Sequence, residues 1–319
     1  MQKSKYFTGQ KIDSRIYLIK KFDVKQAKNG SLFADIIFSD NDGEISAKKW
    51  DVSPEFAVSY DVGSFARVSA AVQTYNDGLQ LIINRIEPAV PTEEELRSLV
   101  ECAPYPSDKM YERIVSVIDS FKDEDIKKLT MHFMETCRDR LMYYPAAKTF
   151  HHAVKGGLLY HMYGMLRSAS ALAGIYDFLN HDLLFAGVIL HDIAKTRELV
   201  SDTNGIVSDY SPEGKLLGHI TIMVCEIDAA ARQLDIPGDK ALLLKHMVLS
   251  HHYQPEYGSP VMPMFAEAEM LHYLDMIDAR MYAFKKTIDS VPAGTFAPNV
   301  WILDNRSILN HGLNDKEDK

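Results

Sequence analysis

From Arg15 to Ile86, apolar and polar positions alternate in five β-rich runs, RIYLIKKFDVKQA, LFADIIFS, EISAKKWDV, SFARVSAAVQTY and LQLIINRI. A period of two predicts strands, each with one face turned to a core. Between them fall Lys28-Asn29-Gly30, Asp42-Gly43 and Asn76-Asp77-Gly78, and such Asn-Gly and Asp-Gly pairs accept the left-handed backbone of hairpin turns. A longer break, Ser53 to Gly63, separates the third run from the fourth. The pattern changes after Pro88 to Pro91. Thr92 with Glu95 three residues on predicts a capped short helix, and Ala103-Pro104-Tyr105-Pro106 breaks the chain again. Apolar residues then recur at helical spacing over Ser107 to Phe121 and over Asp123 to Tyr144, where Pro145 should stop the second helix. Further helices are expected from Leu158, behind the Gly156-Gly157 break, and in ITIMVCEIDAAAR, ALLLKHMVLS and LHYLDMIDARMYAF. The run Leu183 to Lys195, LLFAGVILHDIAK, is apolar on nearly every face until it ends in His191 and Asp192, so it should lie inside a core. Glu198 to Ser211, with a turn at Asn204-Gly205, is the one strand-like interruption in this half.

Five strands in the first 90 residues, with a long break after the third, is the layout of an OB-fold barrel, although SH3-like barrels share it. The expected architecture is an N-terminal all-β OB-fold barrel over residues 1–90 and a linker with a short helix over 91–106. An all-α unit over 107–319, with its core at about 145–285, completes it. A length of 319 residues fits two domains, and 46% hydrophobic with 25% charged residues is ordinary for a chain with a real core. No secretory signal is visible, and no apolar run approaches the roughly 20 residues of a spanning helix. Cys102, Cys137 and Cys225 are scattered, odd in number and outside any CxxC motif, which fits a reducing compartment. A cytoplasmic protein with no membrane partner is expected.

The net charge of −9 argues against nucleic acid until it is divided. Residues 1–90 hold 12 Lys and Arg against 11 Asp and Glu, a net of +1, which leaves −10 for the rest. Residues 1–28 alone hold 8 basic against 2 acidic residues, so the basic surface is local and N-terminal. All 12 histidines lie at or after His132. An OB barrel holds single strands with stacking aromatics and backbone-tracking cations. Phe22, Phe33, Trp50 and Tyr75 are the aromatic candidates, with Lys20, Lys21, Lys25, Lys48 and Lys49 beside them. Half of such a set is expected to point inward, and Trp50, next to Lys48 and Lys49, is the one favoured as exposed.

A His-Asp pair at the end of a buried helix is costly unless a partner offsets it. For one pair a hydrogen-bonded core histidine would suffice. The series His161, His191-Asp192, His219, His251 and Asp275 is different, because each member sets a metal-ligand type into an apolar helix. Imidazole with carboxylate suits Mn, Fe, Zn or Ni, while Ca and Mg prefer all-oxygen shells.

The order H…HD…H…H…D resembles the HD superfamily of metal-dependent phosphohydrolases, all-helical proteins named for the His-Asp pair. HHAVKGGLLYH, SHHYQPEYGSP and LHYLDMIDA, behind an OB barrel, are similar more specifically to the YhaM family of 3′-to-5′ exoribonucleases, over nearly the whole chain. The resemblance implies a first divalent ion on His161, His191, Asp192 and Asp275, with Asp192 bridging to a second held by His219 and His251. Mn is expected, with Fe, Co, Ni, Zn and Mg open. Lys195 corresponds to the phosphate-contacting lysine of the HDxxK form. Asp278 is an alternative to Asp275. His151, His152, His246 and His252 are candidates for support or substrate contact, and His272 for a structural role. His181-Asp182 is a second His-Asp dipeptide, but it stands at a helix start, where Asn180 and Asp182 read as capping residues. The cyclic-dinucleotide phosphodiesterases of the superfamily carry Gly-Tyr-Pro after their paired histidine. Here Tyr257-Gly258-Ser259-Pro260 stands instead, a departure from that pattern.

Two such ions supply nucleophilic water near neutral pH and neutralise phosphate charge, so no side-chain nucleophile is needed. The implied activity is 3′-to-5′ hydrolysis of single-stranded RNA to nucleoside 5′-monophosphates, with single-stranded DNA and a homo-oligomeric state open. One competing reading is a phosphohydrolase of small nucleotides. Another is a non-enzymatic single-strand or DNA-binding protein with a structural metal.

Overall fold

The structure, a computed structural model, describes residues 6–27, 30–40, 43–75, 78–92, 95–96, 99–148 and 152–313, the side chains of residues 57 and 58 aside. Most of the expected turn residues, Lys28-Asn29, Asp42 and Asn76-Asp77, lie outside the described residues, as does His151. The chain forms two compact units, residues 1–102 and 103–319.

The first unit is a closed five-stranded barrel in the order β1-β2-β3-β5-β4, the strand order of an OB fold. Its strands are β1 (Lys11–Gln26), β2 (Leu32–Asp40), β3 (Gly43–Trp50), β4 (Phe65–Tyr75) and β5 (Gly78–Ala89). Closure rests on the length of β1. Its first half pairs with β4 and its second with β2, and a register shift between Ile19 and Lys21 lets the strand bend from one to the other. Alternation does the rest: Ala34, Ile36 and Phe38 of β2 and Val68, Ala70 and Val72 of β4 point into one core with Tyr17, Ile19, Leu81 and Ile83. A 3-10 turn, Pro54–Val58, occupies the long break between β3 and β4. Thr92 and Glu95 form the expected reciprocal cap, each backbone N–H donating to the other's side chain.

The second unit is helical: α1 (Ser107–Asp119), α2 (Glu124–Thr136), α3 (Arg138–Leu141), α4 (Gly157–Ala173), α5 (His181–Leu190), α6 (Lys195–Glu198), α7 (Pro212–Gln233), α8 (Gly238–Ser250) and α9 (Ala266–Asp289). Helix α5 is buried from Leu183 to Leu190 apart from Phe185, because α1, α2, α4, α8 and α9 surround it. Its apolar character on nearly every face follows from that position. Strands β6 (Leu199–Ser201) and β7 (Val207–Tyr210) pair in the expected hairpin.

Two expectations need correction. The single helix over 123–144 breaks at Cys137, whose φ of −97° and ψ of −1° end α2 before α3 begins. Arg140 of the short α3 is thereby able to donate to the Thr196 carbonyl. The strand-like hairpin is also not the sole one. Strands β8 (Thr295–Phe296) and β9 (Leu309–Asn310) pair beyond α9, where Leu303 and Ile308 pack on Ala283. Among the described residues no cysteine is joined in a disulfide, and no helix is long and apolar enough to cross a membrane.

Candidate metal centre and nucleic-acid face

Five elements deliver the His/Asp series to one place. Helix α4 supplies His161, the end of α5 supplies His191 and Asp192, α7 supplies His219, the end of α8 supplies His251, and α9 supplies Asp275 and Asp278. Asp192 lies at the centre. Its Oδ2 is 3.4 Å from His191 Nε2 and 3.8 Å from His161 Nε2. Its Oδ1 is 3.2 Å from His219 Nε2 and 3.9 Å from His251 Nε2. One carboxylate therefore faces two imidazole pairs, one with each oxygen. Asp275 Oδ1 joins the first pair, 3.3 Å from His161 Nε2.

The outer ring nitrogens decide what the inner ones can do. His191 and His251 donate from Nδ1 to the carbonyls of Val188 and Val248, at 2.9 and 2.7 Å. Carbonyls only accept, so Nδ1 carries the hydrogen and Nε2 presents a lone pair. His161 meets Asp278 with Nδ1 at 2.8 Å, and His219 meets Glu198 with Nδ1 at 3.2 Å. A carboxylate on the outer nitrogen fixes the same tautomer and raises ligand basicity. The result is a set of inward lone pairs with few hydrogens among them: His161 Nε2 and His191 Nε2 face each other at 3.3 Å. Asp192 Oδ1, His219 Nε2 and His251 Nε2 are buried and lack an aligned hydrogen-bond partner among the described residues. Buried acceptors that converge without donors are what a cation satisfies. The residues present therefore fit a divalent ion.

Burial alone would lower His161, but the Asp275 and Asp278 carboxylates outweigh it and push the imidazole up to about 10. Burial would raise Asp192, yet Lys195 and His191 hold it well below the ordinary carboxylate value. Burial keeps His251 well below the usual imidazole value, hence neutral.

Asp275 and Asp278 are separated by the side of His161 that each takes, Asp275 at the inner nitrogen and Asp278 at the outer one. Asp278 Oδ2 also accepts from His152 Nε2 at 2.7 Å. Gly164 makes room for it, since a Cβ there would stand 2.5 Å from Asp278 Oδ1. Lys195 Nζ sits 2.6 Å from Asp192 Oδ2. His252 lies with His219 and His251, its Nδ1 donating to the Tyr257 carbonyl at 2.6 Å. His246 accepts from the Met264 N–H at 3.0 Å and stacks on Phe265, which holds the loop before α9. His272 donates to the His251 carbonyl at 2.8 Å. Asn180 caps α5, whereas Asp182 accepts from the N–H groups of Lys122 and Asp123 and so secures the entry to α2.

Glu198 escaped the sequence reading. Its carboxylate accepts both the Nδ1–H and the backbone N–H of His219, a geometry opened by Gly218, whose φ of 69° breaks α7 just before the histidine. The spacing Lys195 to Glu198, one turn beyond the His-Asp pair, was its only signal.

On the barrel, Phe33 and Trp50 are cross-strand partners and their rings lie 5.1 Å apart. Lys48 Nζ lies 5.2 Å from the Phe33 ring, 5.4 Å from Trp50 and 5.0 Å from Tyr75. Trp50 is 43% and Tyr75 56% exposed. Four of the candidates thus form one outward cluster. Phe22 does not join them and packs with Phe56 and Tyr60 against the core. Lys25 pairs with Asp35, Lys21 with Asp23, and Lys49 donates to the Asn84 carbonyl. Lys20 is exposed on β1.

Residues 158–280 match the HD domain family. The 3′-5′ exoribonuclease YhaM of Bacillus velezensis is 39% identical over 94% of this chain and 94% of its own. The protein of the same name from Geobacillus sp. is 40% identical over 95% and 92%. Among solved structures, the second OB-fold domain of replication protein A from Methanococcus maripaludis is similar over 26% of this chain and 86% of its own, at 19% identity and a TM-score of 0.20.

Proposed function

This chain belongs to the YhaM family of 3′-5′ exoribonucleases, and from that premise we propose how its residues divide the work. The helical unit hydrolyses the terminal phosphodiester of single-stranded RNA and releases nucleoside 5′-monophosphates. His161, His191, Asp192 and Asp275 would hold one divalent ion and His219, His251 and Asp192 a second, with Mn the expected metal. When bound, such ions lower the pKa of water and polarise the phosphoryl group. The observation that carries this reading is the convergence of Asp192 Oδ1, His219 Nε2 and His251 Nε2 without aligned donors.

The protein's own groups do the rest. Asp192 presents one oxygen to each imidazole pair, so one carboxylate would serve both sets of ligands. Lys195 keeps its ammonium on Asp192 Oδ2, within reach of a non-bridging phosphate oxygen, where positive charge favours the transition state. Asp278 and Glu198 fix the ring orientations of His161 and His219. Phe33, Trp50 and Tyr75 offer stacking faces and Lys48 offers charge, so the barrel would hold the strand that the acidic unit repels.

Metal-depleted protein, re-supplied with Mn, Mg, Zn or nothing and given 5′-labelled single-stranded RNA, tests this reading. Stepwise shortening from the 3′ end that depends on the added ion is expected. Immediate release of the 5′ label as mononucleotide refutes the polarity, and cleavage of small nucleotides alone returns the small-nucleotide phosphohydrolase.

A further inference from the structure

The helical unit carries an aromatic feature of its own. His152, whose Nε2 bonds Asp278, has its ring 4.0 Å from that of Tyr282 and 5.1 Å from Tyr160. Tyr160 lies 6.0 Å from Tyr105, Tyr105 lies 5.9 Å from Tyr163, and the Arg167 guanidinium lies 5.7 Å from the Tyr163 ring. The rings therefore run in contact from Asp278, on the outer side of His161, to the surface, where Tyr105 is 47% exposed and Arg167 is exposed.

Packing alone does not require these residue types. Tyr111 and Tyr144 use their hydroxyls to bond the carbonyls of Met134 and Leu199. The hydroxyls of Tyr105, Tyr160 and Tyr163 have no such partner among the described residues, so phenylalanine would pack equally well. Arg167 is also a cation in a half of the chain that is net acidic. Ring faces, free hydroxyls and a guanidinium along one track match a single strand's bases, riboses and phosphates.

We infer that Tyr282, Tyr160, Tyr105 and Tyr163, with Arg167, form a stacking subsite for the last few nucleotides of the RNA. It rests on the exoribonuclease reading above and adds where the last nucleotides of the strand are held. The barrel grips the strand; this track orders its end. Its chemistry recognises the π-face of any base and the sugar-phosphate backbone, not a particular sequence.

The test uses full-length protein carrying Asp192→Asn, so that RNA is bound and not consumed. Single-stranded RNA has 2-aminopurine at the last or penultimate position, or ten nucleotides inward, and a separate 5′ fluorophore for anisotropy. Stacking quenches 2-aminopurine, so the 3′-terminal probes should dim on binding. Adding Tyr105→Ala or Tyr163→Ala should restore that fluorescence and weaken binding of a tetranucleotide roughly 5- to 150-fold, the range for losing one stacked base. Tyr105→Phe should keep the quench, and each tyrosine variant made without Asp192→Asn should keep the parent's metal content, which shows that the centre is intact. RNA that binds by anisotropy with an unquenched 3′ end, or a quench unchanged by both alanine variants, overturns the subsite alone. Absence of any RNA binding overturns the exoribonuclease reading and the subsite with it.

Discussion

Replacing Gly164 by alanine puts two effects of opposite sign on one atom. Alanine is the better helix former by roughly 1 kcal/mol in a helix interior, and Gly164 lies inside α4. Propensity alone would make Gly164→Ala more stable. The new Cβ, however, would stand 2.5 Å from Asp278 Oδ1, about 0.8 Å inside a C···O contact of roughly 3.3 Å. The carboxylate has little freedom to yield, because its other oxygen is held by His152 at 2.7 Å and His161 at 2.8 Å. Moving it stretches two charge-assisted hydrogen bonds, each of order 1.5–3 kcal/mol, which exceeds the propensity gain. The expected outcome is a net loss of stability and a 10- to 100-fold loss of metal affinity, the usual effect of disturbing the group behind a ligating histidine. Thermal melting of the metal-free protein and calorimetric titration with Mn measure the two effects. Asp278→Asn provides the comparison and should lose affinity to a similar degree. A Gly164→Ala protein that melts higher and binds Mn as tightly as the parent would refute the role given to Asp278.

Lys195→Ala should lower turnover on the order of 100-fold or more, by analogy with losing one preorganised donor, while metal content measured by mass spectrometry stays unchanged; a collapse of stoichiometry would make Lys195 a structural residue. Trp50→Ala should weaken binding of single-stranded RNA by about 1–3 kcal/mol and leave cleavage of a dinucleotide as it was, and equal losses on both substrates would remove Trp50 from the strand-binding face. Asp123 caps α2 and pairs with Lys240; burial opposes its ionisation, but Lys240 and the backbone N–H groups hold its carboxyl below the ordinary 3.8. A depressed folded value stabilises above the unfolded pKa, so Asp123→Ala should cost about 1 kcal/mol at neutral pH. The difference from the parent should fade as pH falls through the folded value, and a penalty undiminished in acid would contradict the ionised cap.

The barrel was legible because its signals are local: each strand alternates by itself and each turn sits between two runs. The device that closes it was not, since closure depends on β1 bending near Lys21 to serve two neighbours. The break at Cys137 left no mark, because Phe133, Met134 and Leu141 keep helical spacing across it and no proline or glycine intervenes. Strands of two residues, such as β8 and β9, are too short to show a period. In the centre, His161, His191, Asp192, His219 and His251 stood out as polar residues in apolar helices. Asp275 and Asp278 lie one turn apart on one helix, so only the orientation of the His161 ring separates them. Glu198 opens the stretch that reads as a hairpin, and its burial against His219 is made by the fold at Gly218.

The outer partners of the four histidines are of two chemical kinds, and mutation reaches them differently. For His191 and His251 the partner is a main-chain carbonyl, of Val188 and Val248. No codon change deletes a carbonyl, so these two rings keep their orientation through any substitution that leaves the helix end intact. For His161 and His219 the partner is a side chain, Asp278 or Glu198, and a single base change can remove it. Evolutionary drift in the grip on metal should therefore concentrate on half of the centre, with homologues varying at the positions of Asp278 and Glu198 while the rings of His191 and His251 stay as they are.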